Sequence, residues 1–279
     1  MMKLIVPCFV ILLTASGATA ESGGAQQTSD IASAISAAST GEHRSAENIA
    51  RNQYRHPIDT LKFFGMTQDM TVLEIHPGAL WYTEVLAPVL KADGQLIVAG
   101  HDISIENQPD YRYRQQARME ERLSKEAAVF GEVKIATFTP PQGIALGDPA
   151  SVDMVVTFRN FHGWIRDGVA STNLHAFYQV LKPGGILGIV QHRTDKPELL
   201  ASGKINGYVS EAQMIGLAEA AGFVLEARSE INANPKDNHQ HSEGVWTLPP
   251  SLRLGERNRQ SYTAIGESDR MTLRFRKPA

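Results

Sequence analysis

The chain carries a single cysteine, Cys8, in 279 residues, so nothing in it depends on a disulfide framework. It has no excess of one charge: 27 Lys and Arg stand against 30 Asp and Glu, a formal net charge of −3, and no basic stripe breaks the balance. That leaves no electrostatic case for nucleic acid or an anionic membrane surface as a partner. The apolar run Leu4 to Leu13 is too short to cross a bilayer. No GxGxxG follows the first strand, which argues against an ordinary nicotinamide dehydrogenase, and no HExxH or other close pair of ligands points to a metal.

What is present begins with a leader. Lys3 is a short basic start, Leu4 to Leu13 is an apolar stretch, and Ala18-Thr19-Ala20 has the small-x-small form of a signal-peptidase site. Residues 1–20 are therefore expected to be a signal peptide, and the protein to be exported, in the periplasm. Pro7 before Cys8 argues against lipid attachment. Cleavage after Ala20 removes Cys8 itself, which suits an oxidising compartment. Residues 21–41 are rich in Ala, Ser, Gly and Gln and are expected to be a flexible leader, or a weak helix, that adds little to the core. The domain proper is expected over 42–279.

From Glu42 to Phe64 the pattern predicts two short helices, the second opening at Pro57. Strands are then predicted at Thr71–Ile75, Gln95–Ala99, Val133–Phe138, Asp153–Phe158 and Ile186–Val190, with helices between them. Ser210 with Gln213 forms a capping box that opens a helix closed by Gly222. Phe223–Ala227 and Met271–Phe275 are the last two strands, and with no clear crossover helix between them they are expected to pair antiparallel. The fold class is α/β: a doubly wound, mostly parallel seven-stranded sheet with an antiparallel C-terminal strand.

Three of these segments resemble the class I S-adenosylmethionine (SAM) methyltransferases. Val72 to Gly78 is similar to their first cofactor motif, an acidic residue closing strand one before a glycine-rich turn. Leu181 to Leu187 and Ala220 to Val224 are similar to the entries into their fifth and sixth strands. Tyr54-Arg55-His56-Pro57, Pro77 to Pro88, Thr157 to Trp164 and Gly244 to Pro250 resemble, more narrowly, a family of predicted bacterial methyltransferases. The resemblance covers about residues 45–277 and implies SAM as cofactor and methyl transfer to an acceptor that it does not identify. Of the three usual glycine places, this chain keeps Gly78 and has His76 and Leu80 at the others; Ala79 also replaces a glycine of the narrower family. Leu80 is expected to crowd the methionine end of the cofactor, so a non-catalytic small-molecule-binding protein on the same, degenerate fold stays open as an alternative.

By the same resemblance Glu74, Gly78, Asp102 and Asp148 are the cofactor-binding candidates, with Asp102 in the ribose position and Asp148 near the adenine. The segment after the fourth predicted strand supplies His162 as a candidate base, Asn160 as a positioning group, and Arg159 and Trp164 as substrate-facing residues. Tyr54 and His192 are further candidates facing the substrate, which is expected to be a small molecule. His76, His162 and His192 all fall at predicted strand ends, which keeps a metal enzyme as a third, less favoured reading.

Overall fold

The computed structural model describes residues 1, 21–196, 199 and 206–279; the expected signal peptide lies outside the described residues. At the centre are β1 (Thr71–Ile75) and β5 (Val152–Phe158), β-branched runs buried along nearly their whole length. Strands buried on both faces need helices on both sides, and the chain supplies them. From one edge to the other the sheet runs β4 (Gly143–Ala145), β3 (Lys134–Thr139), β2 (Gln95–Gly100), β1, β5, β6 (Leu181–His192), β8 (Arg270–Arg276) and β7 (Val224–Ser229). Strands β3, β2, β1, β5 and β6 are parallel neighbours, whereas β8 lies antiparallel between β6 and β7. The expected antiparallel closing pair is therefore present.

The sheet has eight strands, not the expected seven. The additional one, β4, returns antiparallel onto β3 at the edge. It is three residues long and contains one β-branched residue, Ile144, too little to register as an alternating pattern.

One face of the sheet is covered by α1 (Glu21–Thr40), α4 (Pro57–Phe64), α5 (Thr83–Leu90), α6 (Asp110–Lys125) and α7 (Ala127–Phe130); its core includes Phe64, Val85, Leu86, Met119 and Phe130. The other face is covered by α8 (Phe161–Arg166), α9 (Ala170–Val180) and α10 (Glu211–Ala220), with Trp164, Leu174, Phe177 and Met214 in its core. Ser210 caps α10 by accepting from the backbone of Gln213, as its spacing predicts.

Residues 21–40 are helical, one of the two forms expected, but the second half of the helix does enter the core. Ile31, Ile35 and Ala38 are spaced along one helical face and are buried against α5 and α4. Burying two isoleucines stabilises by about 1.5–3 kcal/mol each, enough to hold an Ala-rich segment whose helix propensity is already high.

The segment Trp81 to Glu84 ties the N-terminal helices α2 (Ala46–Ala50) and α3 (Asn52–Arg55) to the sheet. Trp81 Nε1 donates to Asn48 O, and the Arg44 and Arg55 guanidiniums lie 4.5 and 4.7 Å from its ring. Tyr82 donates to Arg55 O and stacks on Phe158 at 3.5 Å. Thr83 donates to Glu74 at the end of β1. Glu84, fully buried, accepts from Arg44, Asn48 and Arg122.

Candidate functional site

In this sheet the chain winds one way from β1 to β3 and the other way from β5 to β6, so β1 and β5 flank the switch point. Their carboxyl ends diverge into a crevice, the usual ligand position in open α/β sheets. The turn after β1 forms its floor. His76, Gly78 and Leu80 have φ of +47°, +60° and +65°. All three places that glycine would occupy therefore hold the left-handed conformation, which costs an L residue roughly 1–2 kcal/mol. At Gly78 an added Cβ would meet no atom within 4 Å. The residue borders a cavity of about 440 Å³ against α6 and two in the crevice itself, the larger about 300 Å³ and the smaller about 220 Å³.

Leu80 is buried in the core with residues of α5 and, together with Gly78 and Ala79, borders the cavity that α6 lines. The residue that narrows the floor is His76. Its Nε2 lies 2.8 Å from Phe138 O, and its ring packs on His101 at 4.6 Å and Phe138 at 5.1 Å. Burial, with His101 and Arg112 nearby, pushes its pKa down to about 3.

The opposite wall is the segment leaving β5. Arg159 has φ +65° and its N–H donates to Val190 O, which turns the chain across the strand ends. Asn160 Nδ2 donates to Ile75 O at 2.9 Å and approaches Thr157 Oγ1 at 3.1 Å, so this amide fastens β5 to β1. Gln191 accepts from Phe161 N–H through Oε1 and donates to Gly207 O through Nε2. Its orientation is thereby set, and Nε2 also faces His162 Nδ1 at 3.3 Å. His162 Nδ1 is then an acceptor and the ring proton sits on Nε2. Burial, with Arg166 nearby, lowers the His162 pKa to about 4, so the ring is neutral at physiological pH. His192, whose ring lies 5.8 Å from that of His162, is bonded through Nδ1 to Ser268 Oγ and is likewise held neutral by burial. Trp164 is buried among His76, Phe138, Phe161 and Phe177, at the back of the smaller cavity.

The larger cavity contains a charged centre that the sequence patterns did not indicate. Glu267, fully buried, accepts from Arg51 at 2.7 Å, from Arg55 at 3.1 Å and from Arg270, with Arg159 3.8 Å away. Burial alone would raise its pKa, yet Arg270, Arg159 and Arg51 hold it below the usual carboxylate range. Burial pushes Glu74, at the end of β1, up to about 7 against the opposing effects of Thr83 and Arg159. Phe158, Val245, Trp246, Pro249 and Pro250 give the cavity an apolar side. Val245, Thr247 and Leu248 are buried, so this late loop is a packed connector that also walls the cavity.

The structure brings Glu74, Gly78, Arg159, Asn160, His162 and His192 together around the larger cavity. Three candidates lie elsewhere. Asp102 follows β2, but its carboxylate accepts from the Ser104 N–H and hydroxyl and so shapes a turn beside the β3–β4 hairpin. Asp148 is exposed and precedes the amino end of β5, a strand of seven residues and hence roughly 20 Å long; it sits at the opposite end of the sheet from the crevice. Tyr54 packs under Gly266, while its helix neighbours Arg51 and Arg55 line the cavity. The one advance sign of these arginines is their spacing of four, which places them on one helical face. Among the described residues no group of three His, Cys, Asp or Glu is placed to hold a metal ion.

With this geometry the chain has the architecture of a class I SAM methyltransferase fold. A SAM-dependent methyltransferase from Aquifex aeolicus superposes with a TM-score of 0.54 at 17% identity, covering 82% of this chain and 93% of that one. The [4+2]-cyclase SpnF superposes with a TM-score of 0.55 at 15% identity, covering 91% and 95%. No family model and no curated protein matches the chain. At these identities the likeness defines the fold, and the same fold carries more than one chemistry.

Proposed function

We propose that the protein binds SAM in the crevice beside Gly78 and transfers its methyl group to a small-molecule acceptor. The observation that carries this reading is the turn after β1. Its backbone keeps the glycine conformation at positions 76, 78 and 80 even where the residue is not glycine, and Gly78 leaves open space between the two cavities. Strain of this kind persists where the surrounding structure imposes it, as at ligand-binding turns. The residues around it fit an elongated ligand with a polar end, with Glu74 and Gly78 on the floor and His101, Tyr111 and Gln115 along the smaller cavity.

When bound, SAM supplies an electrophilic methyl group on a sulfonium. The protein's share is alignment and, for some acceptors, removal of a proton. Asn160 holds the crevice at a fixed width. His162 offers an N–H at Nε2, since Gln191 occupies its Nδ1. His192, held by Ser268, is the imidazole we assign as proton acceptor.

A second reading, a non-catalytic small-molecule-binding protein, is favoured by His76, which narrows the floor where the fold usually has glycine. Titration calorimetry with SAM and with its demethylated product, S-adenosylhomocysteine, separates these from a fold that has lost the cofactor. Micromolar binding of both supports the first reading, and folded protein giving no heat with either rejects it. We further propose that residues 1–20 direct export; protein recovered from cells should then begin at Glu21, which N-terminal sequencing would establish.

A further inference from the structure

Four guanidinium groups, those of Arg51, Arg55, Arg159 and Arg270, face the larger cavity around one full carboxylate, Glu267. The other carboxylate there, Glu74, is pushed up to about 7 by burial and so is half neutral at physiological pH. Charge gathered away from water is costly unless it is paired and hydrogen-bonded. Here the pairing is incomplete. Arg55 Nη1 and Arg270 Nε are buried with no hydrogen-bond partner. Among the described residues Arg159 has no side-chain hydrogen bond, and its one ion pair spans 3.8 Å. Arg159 is also the arginine common to the larger and the smaller crevice cavity, at the switch point itself.

We propose that this cavity binds an organic anion, the acceptor substrate, whose carboxylate or phosphate group pairs with Arg159 and Arg51. Its apolar body rests on Phe158, Trp246 and the Pro249–Pro250 wall. A guanidinium presents a fork of N–H donors that matches either oxyanion, and the pairing gains strength where water is excluded. The cavity, about 300 Å³, suits a small ligand with a single ring or short chain. Calling the anion an acceptor rests on the methyl-transfer reading; its binding does not.

The test is calorimetry on the full chain with benzoate, phenyl phosphate and the neutral benzoate analogue benzamide, each alone and with S-adenosylhomocysteine present. The expected result is that at least one anion binds ten-fold or more tighter than benzamide, that added salt weakens it, and that Arg159→Gln loses ten-fold or more. Arg118→Gln, on α6 and outside the lining of the anion cavity, should leave anion binding unchanged. Should Arg159→Gln not fold, Arg51→Gln and the anion-to-benzamide ratio of the unaltered protein carry the same test. Benzamide binding as tightly as the anions, or neither anion binding, overturns the proposal. If S-adenosylhomocysteine displaces the anion competitively, the arginines serve the cofactor's own carboxylate and the substrate assignment is wrong. If S-adenosylhomocysteine does not bind but the anion does, the methyl-transfer reading fails and the anion site stands.

Discussion

The side-chain amide of Asn160 donates to the backbone oxygen of Ile75 across 2.9 Å, joining the two strands whose divergence creates the crevice. Asn160 acts through the backbone it holds and is a positioning residue. Removing a partner from a buried polar group costs about 1–3 kcal/mol, so Asn160→Ala should lose that order of unfolding free energy, read as a lower urea midpoint. Asn160→Asp should do worse, because a carboxylate cannot donate and would face the oxygens of Ile75 and His76. Equal midpoints for the two variants would refute the clasp.

Glu84 is a buried carboxylate shared by Arg44, Asn48 and Arg122. Truncating one partner of a buried charged network leaves the others uncompensated, at about 3–5 kcal/mol. Glu84→Ala is expected to lose stability on that scale by chemical denaturation. A loss below 1 kcal/mol would mean that the N-terminal helices are held mainly by Ile31, Ile35 and Trp81.

Stability should fall with acid between about pH 6.5 and 4. His76 and His162 are buried neutral with pKa values near 3 and 4, His101 is lowered to about 4, and His192 is held well below its ordinary 6.5. Unfolding restores ordinary values, so in this window the unfolded chain binds more protons and acid favours it. Glu74 works the other way: raised to about 7, it gives stability below its ordinary 4.5 that is lost as pH rises through 7. Each proton in excess is worth about 1.4 kcal/mol per pH unit. The histidines outnumber Glu74, so the urea midpoint should drop from pH 7 to 5, and more steeply in Glu74→Gln. A flat midpoint over that range would contradict this.

His76→Gly restores glycine at the first place of the turn and relieves a φ of +47°. It also deletes a ring packed on His101 and Phe138, so the variant should be no more stable than the parent. It should bind SAM several-fold more tightly by calorimetry, because the floor is then open. Unchanged or weaker binding would mean that His76 is part of the ligand's seat.

The winding order and the reversed β8 were readable because buried strands, Gly-rich turns and the Ser210 cap are local features with short periods. The contribution of α1 to the core was not legible because only Ile31 and Ile35 mark its apolar face, and Ala-rich composition suits a leader equally well. The packing of His76 onto His101 and Phe138 was not legible because a positive φ fixes where the Cβ points, which residue type alone does not reveal. Asp102 follows β2 as its place in the sequence indicates, but its turn aims the carboxylate at Ser104; Asp148 precedes β5 and so lies at the far end of the sheet from the crevice. The centre at Glu267 was out of reach: Arg51 is 216 positions away, and no local pattern announces a pairing assembled by the whole fold.

The account rests on a ligand lying against Gly78. An added Cβ there would meet no protein atom, so Gly78→Val loads its cost on the ligand, apart from the strain of a positive φ. The deciding measurement is calorimetric titration of SAM into the parent and into Gly78→Val, both shown folded by circular dichroism. Micromolar binding to the parent and at least a hundred-fold loss in the variant are expected; equal affinities, or no binding to the parent, would rule out a ligand seated on Gly78.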